Sequence, residues 1–440
     1  MNKQSVFRRA ALIAAAAMFF VGVPAAGGTP QILYFGSASD GALIASQPAH
    51  DGSVIVETDF GQAGNQGQIV LLTPQGKGHL YSVTTLKVFN GTDTDGGHPS
   101  GHLAIDSAGN IWGMTNASTA HTQGTVFELS NSSGTWSFRT AFVVPDDAGL
   151  IGNPNGYGGV LLDKKGNLFG IAAAPCQDDA CGTVFEIPQA ALNNPKAKTG
   201  LQVLYRFTDG HAPIGMVRDE QGDLFGVETH GGEATLGSVW EVSPPSDKNG
   251  VWSAQTIHSF CMVQDNGCPD GYFPEGVPTV DALGNLYGTT SAGGDAHAAA
   301  ADGTVWKMTR SGANFTFQTV HTLNDEGCNA YADNKVTTPV ARTLLARSGE
   351  ILSLVLSGGV KHVCTGQQTV YQGALVKTDP SSGSDTVENK GWGAPTTLSG
   401  PTGVGSDPTL RGEMLIGTSS GYYDSATGES APGVVFSITP

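Results

Sequence analysis

Near the end of the chain, Gly417-Thr418-Ser419-Ser420-Gly421 has the spacing Gly-x-Ser-x-Gly. In that motif a sharp strand-to-helix turn exposes a nucleophilic serine, served by an acid and a histidine later in the chain. No histidine lies beyond His362, and no helical periodicity follows the segment. The expectation is a strand, not a nucleophile elbow, and no catalytic residue is assigned.

Other groups capable of chemistry are scattered. Carboxylate pairs occur at Asp146-Asp147, Asp178-Asp179 and Asp325-Glu326, with His121, His230, His297 and His362 in comparable segments. Carboxylates suit a hard cation and imidazoles a transition metal. No two of these histidines stand four apart and no calcium-loop spacing occurs, so the expectation is a solvated acidic rim with no metal and no cofactor. Tyr157, Tyr272 and Tyr331 sit among polar neighbours, where an aromatic face can meet a ligand. Together with His230 they form the candidate ligand-binding set. Phe127, Phe185, Trp240 and Trp306 instead recur at one equivalent position; a sugar-stacking row is one reading, and packing between repeated units is the preferred one.

Six cysteines, Cys176, Cys181, Cys261, Cys268, Cys328 and Cys364, suit an oxidising compartment. Their spacing suggests pairs 176–181, 261–268 and 328–364, although six cysteines allow fifteen pairings. A metal site built on Cys-x4-Cys is the rival reading.

The elements that must position these residues are repeats. Gly166-Asn167-Leu168-Phe169-Gly170, followed by Gly182-Thr183-Val184-Phe185-Glu186-Ile187, recurs from Gly109, Gly222 and Gly284, and more faintly from Gly52, Gly349 and Gly412. These seven turn glycines are 56 to 65 residues apart, a spacing that belongs to propellers and related arrays. Within a unit, Val160-Leu161-Leu162 reads as a first strand and Asp163 to Asn167 as a turn. Leu168 to Ile171, Thr183 to Ile187 and Gln202 to Phe207 read as three further strands. A loop carrying Cys176 and Cys181 separates the second strand from the third. The expected fold is all-β, a seven-bladed β-propeller of four-stranded blades. Gln31-Ile32-Leu33-Tyr34-Phe35 reads as the end of a repeat that lacks its beginning, so it is expected to join the C-terminal blade and close the ring.

The units, best seen in Gly284-Asn285-Leu286-Tyr287-Gly288-Thr289-Thr290 with Gly303-Thr304-Val305, resemble the GloVer tandem repeat of exported bacterial proteins. The resemblance implies a propeller with a surface or secreted habitat and carries no activity. It is specific in the second to fifth units and departs from the motif at Val54 to Glu57 and Ile351 to Leu354.

Lys3, Arg8 and Arg9 precede an apolar run from Ala10 to Val23, the pattern of a secretory signal over residues 1–25; residues 26–440 then form one domain. The run is shorter than the ~18 to 20 residues of a membrane span, so no membrane insertion is expected after cleavage. Without that segment 19 Lys and Arg stand against 39 Asp and Glu, a net charge of −20. Such a surface repels nucleic acid. Only 14% of residues are charged and 62 are glycine, the composition of short strands and tight turns. Connections between first and second strands are short and uniform, whereas the others leaving the opposite face are longer and varied, which is where binding residues collect. The functional expectation is a secreted, periplasmic or extracellular monomer that binds a glycan polymer or a protein through that varied face without catalysis. The alternative is an extracellular propeller hydrolase or lyase acting on glycans.

Overall fold

The computed structural model describes residues 31–35, 43–48, 52–58, 66–75, 81–92, 95–99, 101–117, 124–132, 134–146, 150, 153–154, 159–177, 180–194, 200–207, 213–247, 250–263, 267–294, 303–323, 336–339, 342–358, 374–387, 396–399, 409–411, 414–419, 421–424, 430–431 and 434–438. Residues 1–25, with the expected signal, lie outside them.

Each unit begins from its turn. Asp163 Oδ1 accepts hydrogen bonds from the amides of Lys165 and Asn167 at 2.8 and 2.9 Å, and Oδ2 accepts one from Asn167 Nδ2 at 3.1 Å. Asp106 and Asp281 hold their turns through the same three bonds. Gly166 supplies the positive φ, +81°, that a residue with a β-carbon tolerates poorly. The turn returns Val160–Leu162 antiparallel onto Leu168–Gln177. Leu168–Gln177 then pairs with Ala180–Ile187, and Ala180–Ile187 with Gln202–Phe207.

The chain is all-β, a propeller of small antiparallel sheets that follow one another in sequence. Three sheets have five strands instead of the expected four, because their innermost strand is broken in two, as at Gly97–Pro99 with Ala104–Ile105. In that sheet Gly101, at φ +92°, interrupts the pairing. Gln31–Phe35 pairs antiparallel with Val434–Ile438. A three-stranded sheet joins Thr396–Ser399, Gly421–Asp424 and Ser430–Ala431. Met414–Ser419 and Gly421–Asp424 are both strands, so the Gly-x-Ser-x-Gly segment lacks the helix that a nucleophile elbow needs.

Alternate side chains of one sheet face different neighbours. Leu168, Phe185 and Ile187 pack with Trp112, Met114, Val126 and Phe142 of the preceding sheet. Phe169, Ile171 and Val184 pack with Met216, Leu224, Trp240 and Val242 of the next. Both faces of this sheet are therefore buried, and the same two-sided packing leaves the next second strand, Leu224–Glu228, buried throughout.

The recurring aromatics belong to this core, and Phe127, Phe185 and Trp306 have no exposed surface. Each lies directly across from the last glycine of the turn-and-strand motif, as in Gly170↔Phe185, Gly226↔Trp240 and Gly288↔Trp306. A β-carbon on Gly170 would stand 2.5 Å from Phe185 Cζ. At Gly226 it would collide both with the Trp240 indole and with the Gly215 carbonyl, and neither can move without shifting a sheet. Gly226→Ala is expected to cost about 1–3 kcal/mol by overpacking. Urea denaturation followed through Trp fluorescence checks this, and an unchanged midpoint would refute the collision.

Candidate functional site

Antiparallel order sends the first-to-second and third-to-fourth connections to one face and the remaining two classes to the other. On the second face, the connections after Leu224–Glu228 and after Ser253–Ser259 meet. The Phe273 amide donates to the Leu236 carbonyl at 2.8 Å, and Thr229 Oγ1 donates to the Pro274 carbonyl at 3.1 Å. Tyr272 and Ala292 exchange backbone bonds at 2.8 and 3.2 Å.

Phe273 is held at φ +55°, an uncommon conformation for a bulky residue and one that persists only where its surroundings enforce it. The enforcing bonds include the Ser291 amide and hydroxyl, both donating to the Phe273 carbonyl, at 2.9 and 3.0 Å. The ring is thereby set between two others. Its centroid is 4.7 Å from that of His230 and 4.8 Å from that of Tyr272. His230 is exposed, and Tyr272 and Phe273 are partly so. The three form an aromatic shelf with accessible faces.

Beside the shelf, burial pushes the Glu275 carboxyl above its ordinary range, opposed by a hydrogen bond with Ser291. Cys261 and Cys268 form a disulfide in the connection that carries the shelf. The Asp270 carboxylate accepts from the Cys261 amide at 3.1 Å and lies 3.1 Å from His258 Nε2. The loop tip exposes Met262 and Val263.

Two of the four expected ligand residues, His230 and Tyr272, are thus brought together, and Tyr157 and Tyr331 lie outside the described residues. Phe273, which joins the two, was not singled out from sequence. Its signal is the recurrence of Asp95-Gly96-Gly97-His98-Pro99 as Asp270-Gly271-Tyr272-Phe273-Pro274. His98 is the equivalent residue, with φ +53° and its amide donating to the Gln66 carbonyl at 2.7 Å.

Cys328 and Cys364 lie outside the described residues. Cys176 and Cys181 fall within the strands Leu168–Gln177 and Ala180–Ile187, not in the expected loop. The hairpin continues to the pair Gln177↔Ala180, leaving two residues to connect the strands. Of the expected carboxylates and histidines, Asp146 and His230 are described, both exposed. Among the described residues no three of His, Cys, Asp or Glu gather where they could share a metal ion. Among them, too, no helix is long and apolar enough to cross a membrane.

A second constellation joins units that are not neighbours in sequence. His102, Gly159, Gly215, Val277 and Arg342 each stand four residues before the first residue of their turn, Asp106, Asp163, Asp219, Asp281 and Ala346. Successive members touch: Val160 N donates to the His102 carbonyl at 3.0 Å and Thr343 N to the Val277 carbonyl at 3.1 Å. The Arg342 guanidinium meets His102 Nε2 although 240 residues separate them. An arginine only donates, so Nε2 accepts and the imidazole proton sits on Nδ1. Burial, then the Arg342 charge, hold His102 well below its ordinary value, while burial brings Arg342 down to about 10.

Fold and site together define a β-propeller with an aromatic shelf between two connections and a His–Arg pair that joins non-adjacent units. The chain is similar in structure to virginiamycin B lyase from Staphylococcus aureus, at 9% identity over 93% of this chain and 99% of that one, TM-score 0.51. It is also similar to PorZ, a surface component of the type-IX secretion system of Porphyromonas gingivalis, at 12% identity over 93% of this chain and 48% of that one, TM-score 0.51. At such identities the likeness is one of fold. No family model and no curated protein matches the sequence.

Proposed function

We propose that this chain is an exported, non-enzymatic propeller of the GloVer kind that binds a glycan through the shelf of His230, Phe273 and Tyr272. The observation that carries this reading is the contiguity of three accessible rings on the varied face, two of them anticipated from sequence. Aromatic faces stack on the apolar faces of sugars, and a pre-ordered loop loses less entropy on binding. The enforced φ of Phe273 and the neighbouring disulfide supply that order. A protein partner would use the same face, where Met262 and Val263 add apolar surface.

The same proposal takes the ring as seven-bladed and closed by Gln31–Phe35. Its support is the pairing with Val434–Ile438 and the packing of Leu33 and Val435 with Val54, Val56, Val70 and Leu72. A secretory signal over residues 1–25 and a monomeric exported product complete it.

The test is a glycan array followed by titration of the strongest ligand. Tyr272→Ala and His230→Ala should each weaken binding about tenfold or more, as truncations at the centre of an interface do. A variant with Lys164→Ala and Lys165→Ala, on the opposite face, should bind normally. Binding lost only in that turn variant would place the site on the other face and overturn the reading.

The second reading, an extracellular hydrolase or lyase acting on glycans, is favoured by one observation, the neutral histidine beside an arginine on the ring axis. One structural neighbour, virginiamycin B lyase, supports it by analogy of fold alone. A hydrolase and lyase screen on the array's positive ligands separates the two.

A further inference from the structure

Blades that are not neighbours in a propeller can meet only at its axis. His102 and Arg342 belong to units separated by three others, yet their side chains are in contact. The intervening units place Gly159, Gly215 and Val277 at the equivalent position. Gly159 is packed so closely on His102 that a β-carbon there would overlap the His102 backbone, and one on Gly215 would stand 2.5 Å from Val277 Cγ2. Among the described residues at this position, two glycines leave the space to one aliphatic, one imidazole and one guanidinium side chain. His102 and Arg342 both keep partial exposure.

The charge of this position is out of character for the molecule. The chain carries a net −17, whereas the described residues at this position are a guanidinium, an imidazole, an aliphatic side chain and two glycines, with no carboxylate among them. A guanidinium fork matches the two oxygens of a carboxylate, and one imidazole nitrogen adds a third donor when it rotates or takes up a proton. A guanidinium surrounded by protein also attracts an anion more strongly than one in water.

We propose that the axial channel is a carboxylate-binding site, in which Arg342 holds the two oxygens and His102 orients the group from the side. The ligand class is a carboxylate, either a small free acid or the acidic group of a uronic-acid sugar. The site is independent of the aromatic shelf, and either can fail without the other.

The His102 ring signals, assigned by their loss in His102→Gln, would be followed by NMR in the full exported chain. Formate, acetate and glucuronate are the probes, with glucose and chloride at equal concentration as controls. A saturable movement of the His102 signals with at least one carboxylate is expected, and none with glucose or chloride. Movement with glucuronate at lower concentration than acetate assigns the site to an acidic sugar; the reverse order assigns it to a free acid. Arg342→Met should weaken the response at least about thirtyfold, and Arg342→Lys should restore part of it. Should Arg342→Met fail to fold, the wild-type titration still decides. No saturable movement with any carboxylate, an equal response to chloride, or an undiminished response in folded Arg342→Met would overturn the proposal.

Discussion

Leu33→Asp is expected to destabilise the protein by about 3–5 kcal/mol and to make it prone to association. Leu33 is buried, 8% exposed, among Val54, Val56, Val70, Leu72 and Val435. It sits at a register shift between Ile32↔Phe436 and Tyr34↔Val435, so its backbone lies at the irregularity while its side chain fills the space between sheets. Truncating a buried leucine costs about 2–5 kcal/mol, and an aspartate adds the penalty of a carboxylate with no cation among these five neighbours. The expected loss is a large share of the roughly 5–15 kcal/mol that holds a typical domain together. Weakening this strand also frees the edge of Val434–Ile438 for pairing with another chain. Urea denaturation and light scattering read the two effects, with Leu33→Ile as the conservative control. Should Leu33→Asp unfold at the wild-type urea concentration, the proposed closure by the N-terminal strand is overturned.

Arg310→Met is expected to cost about 3–5 kcal/mol, because it strands buried carboxylates. Three units carry asparagine after the turn glycine, at Asn110, Asn167 and Asn285, but the fourth carries Asp223. That turn therefore holds two carboxylates, Asp219 and Asp223, and the cation comes from the next unit. Arg310 Nη1 lies 2.5 Å from Asp219 Oδ2, and Nη2 lies 2.6 Å from Asp223 Oδ2 and 3.7 Å from Glu241 Oε1. The Asp219 side chain is 1% exposed and that of Glu241 5%, so water cannot replace the lost partner. Burial, together with the charges of Asp223 and Asp219, raises Glu241, while Gln255 and Arg310 lower it. Its folded value is above the ordinary 4.5. A carboxyl raised on folding favours the folded state below its unfolded value and loses that contribution as pH rises through the folded one. Removing Arg310 raises it further, so the deficit of Arg310→Met should shrink as the pH falls toward 4.5. Asp223→Asn, which restores the pattern of the other turns, should recover part of the loss in the double variant. An equal deficit with and without Asp223→Asn, flat across pH, would remove the ion cluster as its cause.

Much of the fold was legible because its causes are local. Asp163 reaches only four residues ahead to set its turn, and Leu168 pairs with Ile187 nineteen residues on; a repeated local pattern therefore declares repeated sheets. The burial of Phe185, Trp240 and Trp306 was legible for the same reason, since an identical position in every unit must meet an identical neighbour. Register added what the linear pattern does not show, that the glycine preceding each aromatic is the floor beneath its ring.

The candidate sites were less legible because their contacts cross units. Sequence pointed to His230 and Tyr272 through loop length and polarity, but Phe273 became visible only when two connections from adjacent sheets were seen clasping its backbone. Arg310 explains Asp223 only across a junction between sheets, where the missing turn asparagine meets a cation 87 residues away. His102 and Arg342 are the extreme case. Nothing in the residues flanking either one indicates the other, because their meeting depends on how many units separate them and how the ring curves. The chain's residue pattern determines strands, turns and the faces they bury; the angle at which each unit packs on the next decides which distant side chains share the axis.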